Sequence, residues 1–388
     1  MKTQVGIIGA GPAGLLLARL LHNKGINSIV IEKESEAYVR NRSRAGILEQ
    51  TSVDLILSSG AGENLKENGL THEGIFFHYN GEKNFINFIE SNDGKTVTAY
   101  TQKQLVNDFI DKAQEDGLKI IFEAKAKKID GLETTMPILT YEKDSVIESI
   151  ECDFIVGCDG YHGISRVSIP NHEEETIEKL FPYSLYGVLS DSSPISENII
   201  CGYHPNGCSI QSMRGAHLTK FYFQCPNGTT TDSWSDNEIW DELDLRLGVK
   251  NTRGKILDKN VIPLRSMVCN KLQHNRLFIA GDSAHIVPPT GAKGMNCAIA
   301  DISVLSEGLI NHFVNNNDEV LDNYTQIALK RIWKVVRFSW WMTTTLFIDP
   351  EQDQFESEMQ LATLDYLLNS EVAIKSFSEN YAGLPIEY

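Results

Sequence analysis

A glycine triplet near the start of the chain constrains its fold more than any other feature. Gly9, Gly11 and Gly14 have the G-x-G-x-x-G spacing, follow the apolar run QVGII and precede an amphipathic segment closed by Gly25. The first glycine permits a tight turn, the second lets the backbone approach a pyrophosphate, and the third lets a helix pack on a strand. The next apolar run ends at Glu32, where an acid can bind ribose hydroxyls. This order predicts a Rossmann-type nucleotide-binding domain.

Two later segments decide which nucleotide is bound, because the triplet alone fits NAD or FAD equally. SIECDFIVGCDGYHGISR predicts a strand that runs into Asp159, followed by a helix start. RLFIAGDSAHIVPPTGAKGMN predicts a strand, then Asp282, a Pro-Pro turn and a long helix. An acid between a strand and a helix N-terminus can bind a ribitol hydroxyl, while the helix dipole faces the electron-rich edge of a flavin. The three segments together predict FAD.

A basic cluster follows the second predicted strand. YVRNRSRAG places Arg40, Arg42 and Arg44 close together in a chain of formal net charge -17. Such a cluster has two interpretations. It binds an anionic ligand, or it is a solvated loop that binds none. The pI near 5.0 argues against broad nucleic-acid binding, which needs a positive face.

Composition narrows the class further. The chain has 388 residues, enough for more than one hydrophobic core. Its seven cysteines include no C-x-x-C pair, which predicts reduced thiols, a cytoplasmic location and no metal site. MKTQVGIIGAG begins directly with a strand pattern, and apolar runs stay short, so we expect neither a secretory signal nor a membrane span.

Several narrower motifs carry a family resemblance: RSRAGILEQ, THEG, DGYHGISR, PLRS, HIVPPTGAKGMN, RIWKVVRFSWWMT and ENYAGLP. With these motifs the chain resembles the single-component flavoprotein aromatic hydroxylases nearly end to end. The resemblance implies an α/β fold in three parts. They are a Rossmann-type FAD-binding domain at 1–174, to which 269–297 return, a mixed-sheet substrate domain at 175–268, and a C-terminal helical region at 298–388. It also implies a homodimer.

The resemblance extends to cofactor-binding residues. For FAD it implies Gly9, Gly11, Gly14, Glu32, Arg44, Gln102, Asp159, Asp282, Lys293 and Asn296. For the phosphates of the nicotinamide cofactor it implies Arg42, Arg44, His162 and Arg265. Binding of these phosphates would account for the arginine cluster. The nicotinamide cofactor would then need no second glycine motif.

The choice of nicotinamide cofactor depends on residues after the second strand. Lys33 and Tyr38 match the positions at which the family sets its preference for NADPH. Glu34 and Glu36 lie beside them and would repel a 2'-phosphate. NADPH is therefore the expected reductant, with NADH as the alternative.

The implied reaction inserts one oxygen atom of O2 into the ring of an aromatic carboxylate, with FAD supplying the oxidising chemistry. Arg214 matches the family's anchor for the carboxylate, and Ser212 and Tyr222 match its helpers. Guanidinium can bind a carboxylate through two parallel hydrogen bonds. The expected substrate is a para-substituted benzoate that is hydroxylated at the 3-position.

The para end of the pocket departs from the family pattern. Tyr381 and His72 match the second and third members of a relay that removes the proton of a para-hydroxyl, but Cys201 replaces the tyrosine that begins it. A thiol is a weak donor and acceptor. The carbonyl of Pro289 is left as an acceptor.

Two substrates therefore remain open, with 4-hydroxybenzoate slightly favoured on family grounds. A 4-amino group activates the ring without losing a proton first, so 4-aminobenzoate is the alternative. Water that fills the space beside Cys201 could also restore the relay. Two further positions indicate a retuned pocket: Ser43, where relatives are usually apolar, and Leu185, where they often have tryptophan.

Two other classes of protein fit parts of the pattern. An NAD-dependent dehydrogenase would have the glycine triplet but would purify without colour. A non-catalytic flavin-binding protein would be yellow but would show no substrate-stimulated oxidation of NAD(P)H. The later acid-turn segments and the narrow motifs favour the aromatic hydroxylase over both.

Overall fold

A sheet with parallel central strands and antiparallel pairs outside them carries the N-terminal glycine turn in the computed structural model, which describes residues 1–42 and 46–387. The Lys2–Ile8 strand lies at its centre, parallel to Ser28–Ile31 on one side and to Val146–Gly157 on the other. The other strands of this eight-stranded sheet are Lys119–Ile121, Lys125–Asp130, Ile138–Lys143, Gln273–His274 and Leu277–Ile279. The Pro12–His22 helix follows the glycine turn and buries its leucines against this sheet. The predicted strand-turn-helix-strand unit is confirmed.

A second eight-stranded sheet, of mixed direction, follows the first along the chain. Its strands, in spatial order, are His285–Ile286, Lys255–Cys269, Thr176–Asp191, Leu218–Pro226, Ser209–Gly215, Ile199–Gly202, Gly74–Tyr79 and Glu82–Asn87. The Leu218–Pro226 strand alternates between half-buried and buried residues over its first half. A small third sheet joins Ile47–Glu49, Val97–Ala99 and Leu70–His72. The mixed α/β fold class is confirmed.

The second sheet also takes two strands from the region that the sequence assigned to the FAD-binding domain. Gly74–Tyr79 pairs in parallel with Ile199–Gly202. A parallel pair between segments so far apart in sequence leaves no local turn signal, and therefore a boundary at residue 174 could not anticipate it. The division at 1–174, 175–268 and 298–388 stays a proposal about domains.

Helices cover the first sheet and form most of the C-terminal region. Their bounds are Pro12–His22, Glu36–Asn41, Gln50–Ser58, Glu63–Asn68, Phe88–Ser91, Gln102–Glu115, Asp236–Leu247, Gly294–Ile310, Glu319–Asp322, Tyr324–Leu346, Gln354–Asn369 and Glu371–Ala382. Three of them begin with a capping box, at Thr101, Ser235 and Asp353. Such boxes satisfy the first free amide groups of a helix.

The Gly294–Asn315 helix, whose last turn is a π-helix, is long and apolar enough to cross a membrane by length and composition. Two-thirds of its most apolar window, 67%, is buried inside the protein. It packs against the Pro12–His22 and Tyr324–Leu346 helices. Burial of this kind is typical of a core helix.

The predicted helix after Asp159 is only a 3-10 turn, at Arg166–Ser168. The side chain of Asp159 accepts hydrogen bonds from the amide and the hydroxyl of Ser165, and Pro170 soon follows. These contacts fold the segment back on itself. The expectation that a helix dipole acts at this turn was therefore wrong.

Candidate active site

The glycine turn forms a cradle, and its three glycines differ in whether a side chain could be accommodated. Gly9 has a φ of +106°, and a Cβ there would lie 2.4 Å from the carbonyl oxygen of Cys158. A Cβ on Gly14 would lie 2.1 Å from the carbonyl oxygen of Gly9. At Gly11, by contrast, a Cβ would meet nothing within 4 Å among the described residues. The first and third glycines are thus required by packing, while the second faces open space at a helix N-terminus.

Glu32 lies next to this cradle, as predicted. Its Oε2 accepts from the amide of Ala10 at 2.8 Å, and its Oε1 accepts from the amide of Glu34 at 3.0 Å. A carboxylate has about four acceptor positions. The two amide bonds hold the group in place and leave lone pairs for ribose hydroxyls.

Asp159 presents an unused acceptor at the end of the neighbouring strand. Its Oδ2 accepts two hydrogen bonds from Ser165, but its buried Oδ1 has no partner within residues 1–42 and 46–387. Burial raises the pKa of this carboxyl, and its hydrogen bonds lower it. A buried oxygen without a partner is costly unless a ligand donates to it. A ribityl hydroxyl would supply that donor.

These features fit FAD. The cradle is open at Gly11, Glu32 and Asp159 offer acceptors, and Asp282 lies in the Gly281–Ser283 turn that precedes the long helix. The Gly294–Ile310 helix starts without a side-chain cap, so its first amides are available to an electron-rich ligand.

The side chains of Lys293 and Asn296 are used differently from their predicted role. The Lys293 ammonium donates to Glu49 at 2.6 Å and to the carbonyl of Tyr381 at 2.7 Å. Asn296 binds the amide of Glu49 and the carbonyl of Ile47. Both are buried, so their polar groups hold the loop at the start of the long helix. Direct FAD contacts from these two residues remain a prediction.

Glu49 is the centre of this buried network. Besides Lys293, it binds Arg331 at 2.8 Å, and Arg331 also donates to the carbonyls of Leu384 and Pro385. One carboxylate thus stands between two cations, which leaves this region with an excess of positive charge. We call Glu49, Lys293 and Arg331 the Glu49 network.

The predicted substrate-binding residues meet on one face of the second sheet. Cys201 lies opposite Ile210, and Ile210 lies opposite Tyr222, on three adjacent strands. Because directly opposed side chains share a face, Cys201 and Tyr222 face the same side, and Ser212 follows by alternation.

Arg214 lies near a bulge of the same strand and is half-buried. It hydrogen-bonds with the side chain of Tyr222, and its Nη1 donates to the carbonyl of Gly46 at 3.2 Å. Burial lowers the pKa of Arg214, and Tyr222 opposes that shift. The Ser212 hydroxyl is buried and lacks a partner in the described part of the chain. A guanidinium and a spare hydroxyl together suit a carboxylate ligand.

The three proposed relay residues are all buried. Burial raises the pKa of the Cys201 thiol to about 12. The pKa of Tyr381 is also raised, mainly by burial and to a lesser extent by the nearby Cys201. The pKa of His72 is lowered to about 4, mainly by burial and to a lesser extent by the positive charge of Arg214. Neither ring nitrogen of His72 has a hydrogen-bond partner among the residues that the structure describes. The side chains are therefore neutral near pH 7.

Other predicted residues are exposed or half-buried, or lie outside the described residues. Pro289 is exposed, and its carbonyl already accepts from the amide of Ala292 at 2.9 Å. Gln102 begins the Gln102–Glu115 helix and is half-buried. Ser43 and Arg44 lie outside the described residues.

The predicted nicotinamide residues fall into two groups. Lys33, Tyr38 and Arg42 are exposed on or beside the Glu36–Asn41 helix. His162 and Arg265 meet instead at the ring of Tyr161, with the Arg265 guanidinium 4.8 Å from its centroid. Arg40, which the sequence counted in the basic cluster, is paired with Glu36 and Asp111. Its charge is therefore already balanced.

Sequence reasoning missed Lys220, which lies directly opposite Ser212. Its ammonium donates to Asn260 at 3.0 Å and lies 5.4 Å from the centroid of the Tyr222 ring. Burial lowers the pKa of Lys220 to about 8, with Asp258 raising it and Arg214 lowering it. The alternation of LTKFYFQC could have revealed a second cation beside Tyr222.

His285, Cys297 and Asp301 also meet, although the sequence predicted no metal site. Their ligand atoms lie within 4.8 Å of one another. Asp301 accepts from His285 at 2.6 Å and from the amide of Gly281 at 2.9 Å. Burial lowers the pKa of His285, but Cys297 and Asp301 together raise it well above its usual value. The cluster works as a buried ion pair that holds the turn bearing Asp282.

Comparison with known proteins identifies the class. The model of the family described as "FAD binding domain" matches residues 2–339, and the chain belongs to this family. It is an FAD-dependent aromatic monooxygenase, with FAD as its flavin and NAD(P)H as the reductant.

Among individual relatives, the chain is similar to the p-hydroxybenzoate hydroxylase of Acinetobacter baylyi. The two are 41% identical over 391 residues, which cover 100% of this chain and 96% of that one. Kynurenine 3-monooxygenase of Christiangramia forsetii is 23% identical over 348 residues, which cover 83% of this chain and 76% of that one. The predicted resemblance to the flavoprotein aromatic hydroxylases is thereby confirmed, and within that family the chain resembles 4-hydroxybenzoate 3-monooxygenase.

Solved structures support the fold. The p-nitrophenol 4-monooxygenase PnpA of Pseudomonas putida has a TM-score of 0.84 at 16% identity, covering 99% of this chain and 100% of that one. A complex of aklavinone-11 hydroxylase with FAD and aklavinone has a TM-score of 0.76 at 16% identity, covering 91% and 70%. Because both structures are only 16% identical to this chain, their similarity shows a shared fold and nothing more.

Proposed function

We propose that this enzyme hydroxylates a para-substituted benzoate at the 3-position, with 4-hydroxybenzoate as the favoured substrate. The observation that carries this proposal is the placement of Ser212, Arg214 and Tyr222 around one point of the second sheet. The relative named p-hydroxybenzoate hydroxylase supports it. When bound, reduced FAD supplies the activation of O2, and the side chains bind and orient the ring.

Each side chain at the carboxylate end has a distinct part in this proposal. Arg214 binds the carboxylate through paired hydrogen bonds, which guanidinium geometry favours. The unused hydroxyl of Ser212 donates a further bond, and Tyr222 fixes the guanidinium. Burial of these groups excludes water, which strengthens each electrostatic contact. The ring is thereby held with its para substituent away from Arg214.

At the para end, 4-aminobenzoate is a second candidate because of Cys201. A thiol whose pKa is raised to about 12 stays protonated near pH 7 and cannot take a proton from a phenol. Tyr381 and His72 would continue a relay only if water or the substrate joined them. An amino group donates electrons to the ring without prior loss of a proton. The carbonyl of Pro289 already accepts from the amide of Ala292, and its second lone pair would be the acceptor in either case.

For the reductant we propose NADPH, with NADH as the alternative. Lys33 is exposed near Tyr38 and Arg42, which suits a 2'-phosphate. Glu34 lies 3.9 Å from Lys33 and weakens that attraction. His162 and Arg265 at Tyr161 would serve the phosphates that link the two nucleosides.

We also propose a homodimer that uses the C-terminal helices. These helices expose a set of large apolar side chains: Trp333, Trp340, Phe355, Met359, Tyr366 and Val372. Contiguous exposed apolar surface marks protein–protein interfaces. A cytoplasmic location belongs to the same proposal, since all seven cysteines are free thiols. Sedimentation of wild type against Phe355→Asp tests the dimer.

A product assay tests the function. Para-substituted benzoates with hydroxy, amino, methoxy and chloro groups are each incubated with the FAD-loaded enzyme, O2 and either NADPH or NADH. Chromatography with mass detection identifies the hydroxylated position. The proposal predicts 3-hydroxylation of the hydroxy or amino compound, with NADPH more effective. Oxidation of the cofactor without any ring hydroxylation would contradict it.

A further inference from the structure

Two guanidinium groups and an imidazole surround the ring of Tyr161, just after Asp159 in the chain. The guanidinium of Arg166 lies 4.7 Å from the ring centroid, and that of Arg265 lies 4.8 Å from it. His162 contacts the same ring edge-on at 4.9 Å. We call these four residues the Tyr161 cluster.

The Tyr161 cluster joins the two large sheets. Tyr161, His162 and Arg166 follow the Val146–Gly157 strand of the first sheet, whereas Arg265 belongs to the Lys255–Cys269 strand of the second. An anion bound here would therefore lie between the part that holds the flavin acceptor Asp159 and the part that holds the benzoate anchor.

The cluster has unused capacity for an anion. The buried Nε of Arg166 has no hydrogen-bond partner within the described ranges, 1–42 and 46–387. Its Nη2 donates to the carbonyl of Tyr161 at 3.0 Å, which fixes the guanidinium against the ring. Arginine has five donors in a rigid fork that suits phosphate oxygens.

One acid is paired with this cluster. The Glu178 carboxylate accepts from Arg265 Nη1 at 3.1 Å, and both side chains are one-third exposed, at 33% each. Glu178 lies on the Thr176–Asp191 strand, next to the strand of Arg265. Its carboxylate therefore binds the same donor that a phosphate would use.

We propose that Glu178 occupies the anion position of the Tyr161 cluster in the cofactor-free enzyme and is displaced by a phosphate of the nicotinamide dinucleotide. Glu178 thus sets cofactor affinity without touching the flavin or the benzoate. This inference rests on the proposed role of Arg265 in binding that cofactor. An ion pair exposed by one third on each side is weak enough to be exchanged for another anion.

The charge of Glu178 opposes binding in two ways. It satisfies Arg265, and it repels an incoming phosphate at the same site. Exposed ion pairs of this kind change affinities by roughly two- to fivefold. Glu178→Gln should therefore tighten the binding of inorganic pyrophosphate and of NADPH by about that factor, with the gain shrinking as ionic strength rises.

The test measures inorganic pyrophosphate binding to the oxidised, FAD-loaded enzyme by calorimetry, at low and moderate salt. Glu174→Gln is the matched control, because it removes the same charge from an exposed position four residues away. Arg265→Gln and the double variant complete a cycle. The inference predicts tighter binding for Glu178→Gln alone, weaker binding for Arg265→Gln, and no gain from Glu178→Gln once Arg265 is replaced.

Two outcomes overturn the inference. One is equal pyrophosphate affinity in Glu178→Gln and Glu174→Gln, and the other is a gain that persists in the double variant. Failure of the proposed function is separable, because it would appear in the wild type, either as cofactor oxidation without ring hydroxylation or as flavin that neither NADPH nor NADH reduces in stopped flow. The calorimetric comparison would still decide whether Glu178 competes with an anion at Arg265.

Discussion

Ser212 and Lys220 lie directly opposite each other on adjacent antiparallel strands of the second sheet. Lys220 therefore adds a second cation to the face that carries Arg214 and Tyr222. Because burial lowers the pKa of Lys220 to about 8, its charge is present near pH 7 and is lost at a pH where an exposed lysine would keep it.

The affinity for unsubstituted benzoate should fall as pH rises through about 8. Benzoate has no second titratable group, so the decline reports the protein. Loss of one nearby charge should weaken binding on the order of tenfold. Titration of the flavin absorbance between pH 6.5 and 9.5 measures it. Lys220→Arg should flatten the profile, and an identical decline in that variant would assign the titration to another group.

Arg214→Ala should abolish tight benzoate binding and leave FAD in place. A charge-assisted pair in a dry pocket contributes about 3 kcal/mol, which corresponds to a loss on the order of a hundredfold in affinity. Equilibrium titration and the flavin-to-protein absorbance ratio measure the two effects. Arg265→Ala is the control: it removes the same charge beside Tyr161, away from Ser212 and Tyr222, and should keep benzoate affinity. Benzoate binding that survives in Arg214→Ala would place the anchor elsewhere.

Cys201→Tyr should speed hydroxylation of 4-hydroxybenzoate and leave 4-aminobenzoate unaffected or slower. The new phenol would connect the substrate to Tyr381, and acid-base assistance contributes a factor of about 10² to 10⁴. The gain should be largest near neutral pH, and single-turnover kinetics measure it. Because Cys201 is buried, the larger ring should also cost about 1 to 3 kcal/mol of unfolding free energy.

Cys201→Phe is the matched control for that experiment. It fills the same space without the hydroxyl, so it should lose stability equally but gain no rate. If Cys201→Tyr and Cys201→Phe hydroxylate 4-hydroxybenzoate equally fast, the relay argument fails, and a water molecule is the better account of the wild-type site.

Glu34→Gln should lower the KM for NADPH by about two- to fivefold and leave that for NADH nearly unchanged, because it removes repulsion of the 2'-phosphate. Steady-state kinetics with both cofactors measure this. Glu36→Gln is the control, since the Glu36 carboxylate is already bound by Arg40 and Gln114. Equal shifts for NADPH and NADH in Glu34→Gln would place Glu34 away from the ribose.

The nucleotide end was predictable because its signals are local. Gly9, Gly11, Gly14 and Glu32 occupy a short stretch whose spacing alone fixes a turn between two elements. Substrate-face residues were found through resemblance, since Cys201, Arg214 and Tyr222 come together only when three strands pair in one register. Lys220 was missed because a lysine in an alternating strand is usually exposed, and only burial by its neighbours changes its charge.

Long-range pairs explain the remaining differences. Nothing near Lys293 in the sequence indicates that its ammonium binds Glu49 and the carbonyl of Tyr381. Likewise, the short turn after Asp159 depends on the Asp159 carboxylate, which accepts from the amide and the hydroxyl of Ser165 and so competes with a regular helix for that amide.

The Glu49 network has a consequence for how the chain folds during its synthesis. Glu49 is made early, but its partners Lys293 and Arg331 follow 244 and 282 residues later, and Arg331 in turn needs the carbonyls of Leu384 and Pro385. On a ribosome, the flavin-binding end must therefore wait for almost the whole chain before its buried acid is neutralised. Contacts of such long range slow folding. Flavin that meets a nascent chain would find this network unformed, so we expect tight flavin binding only after the chain is released.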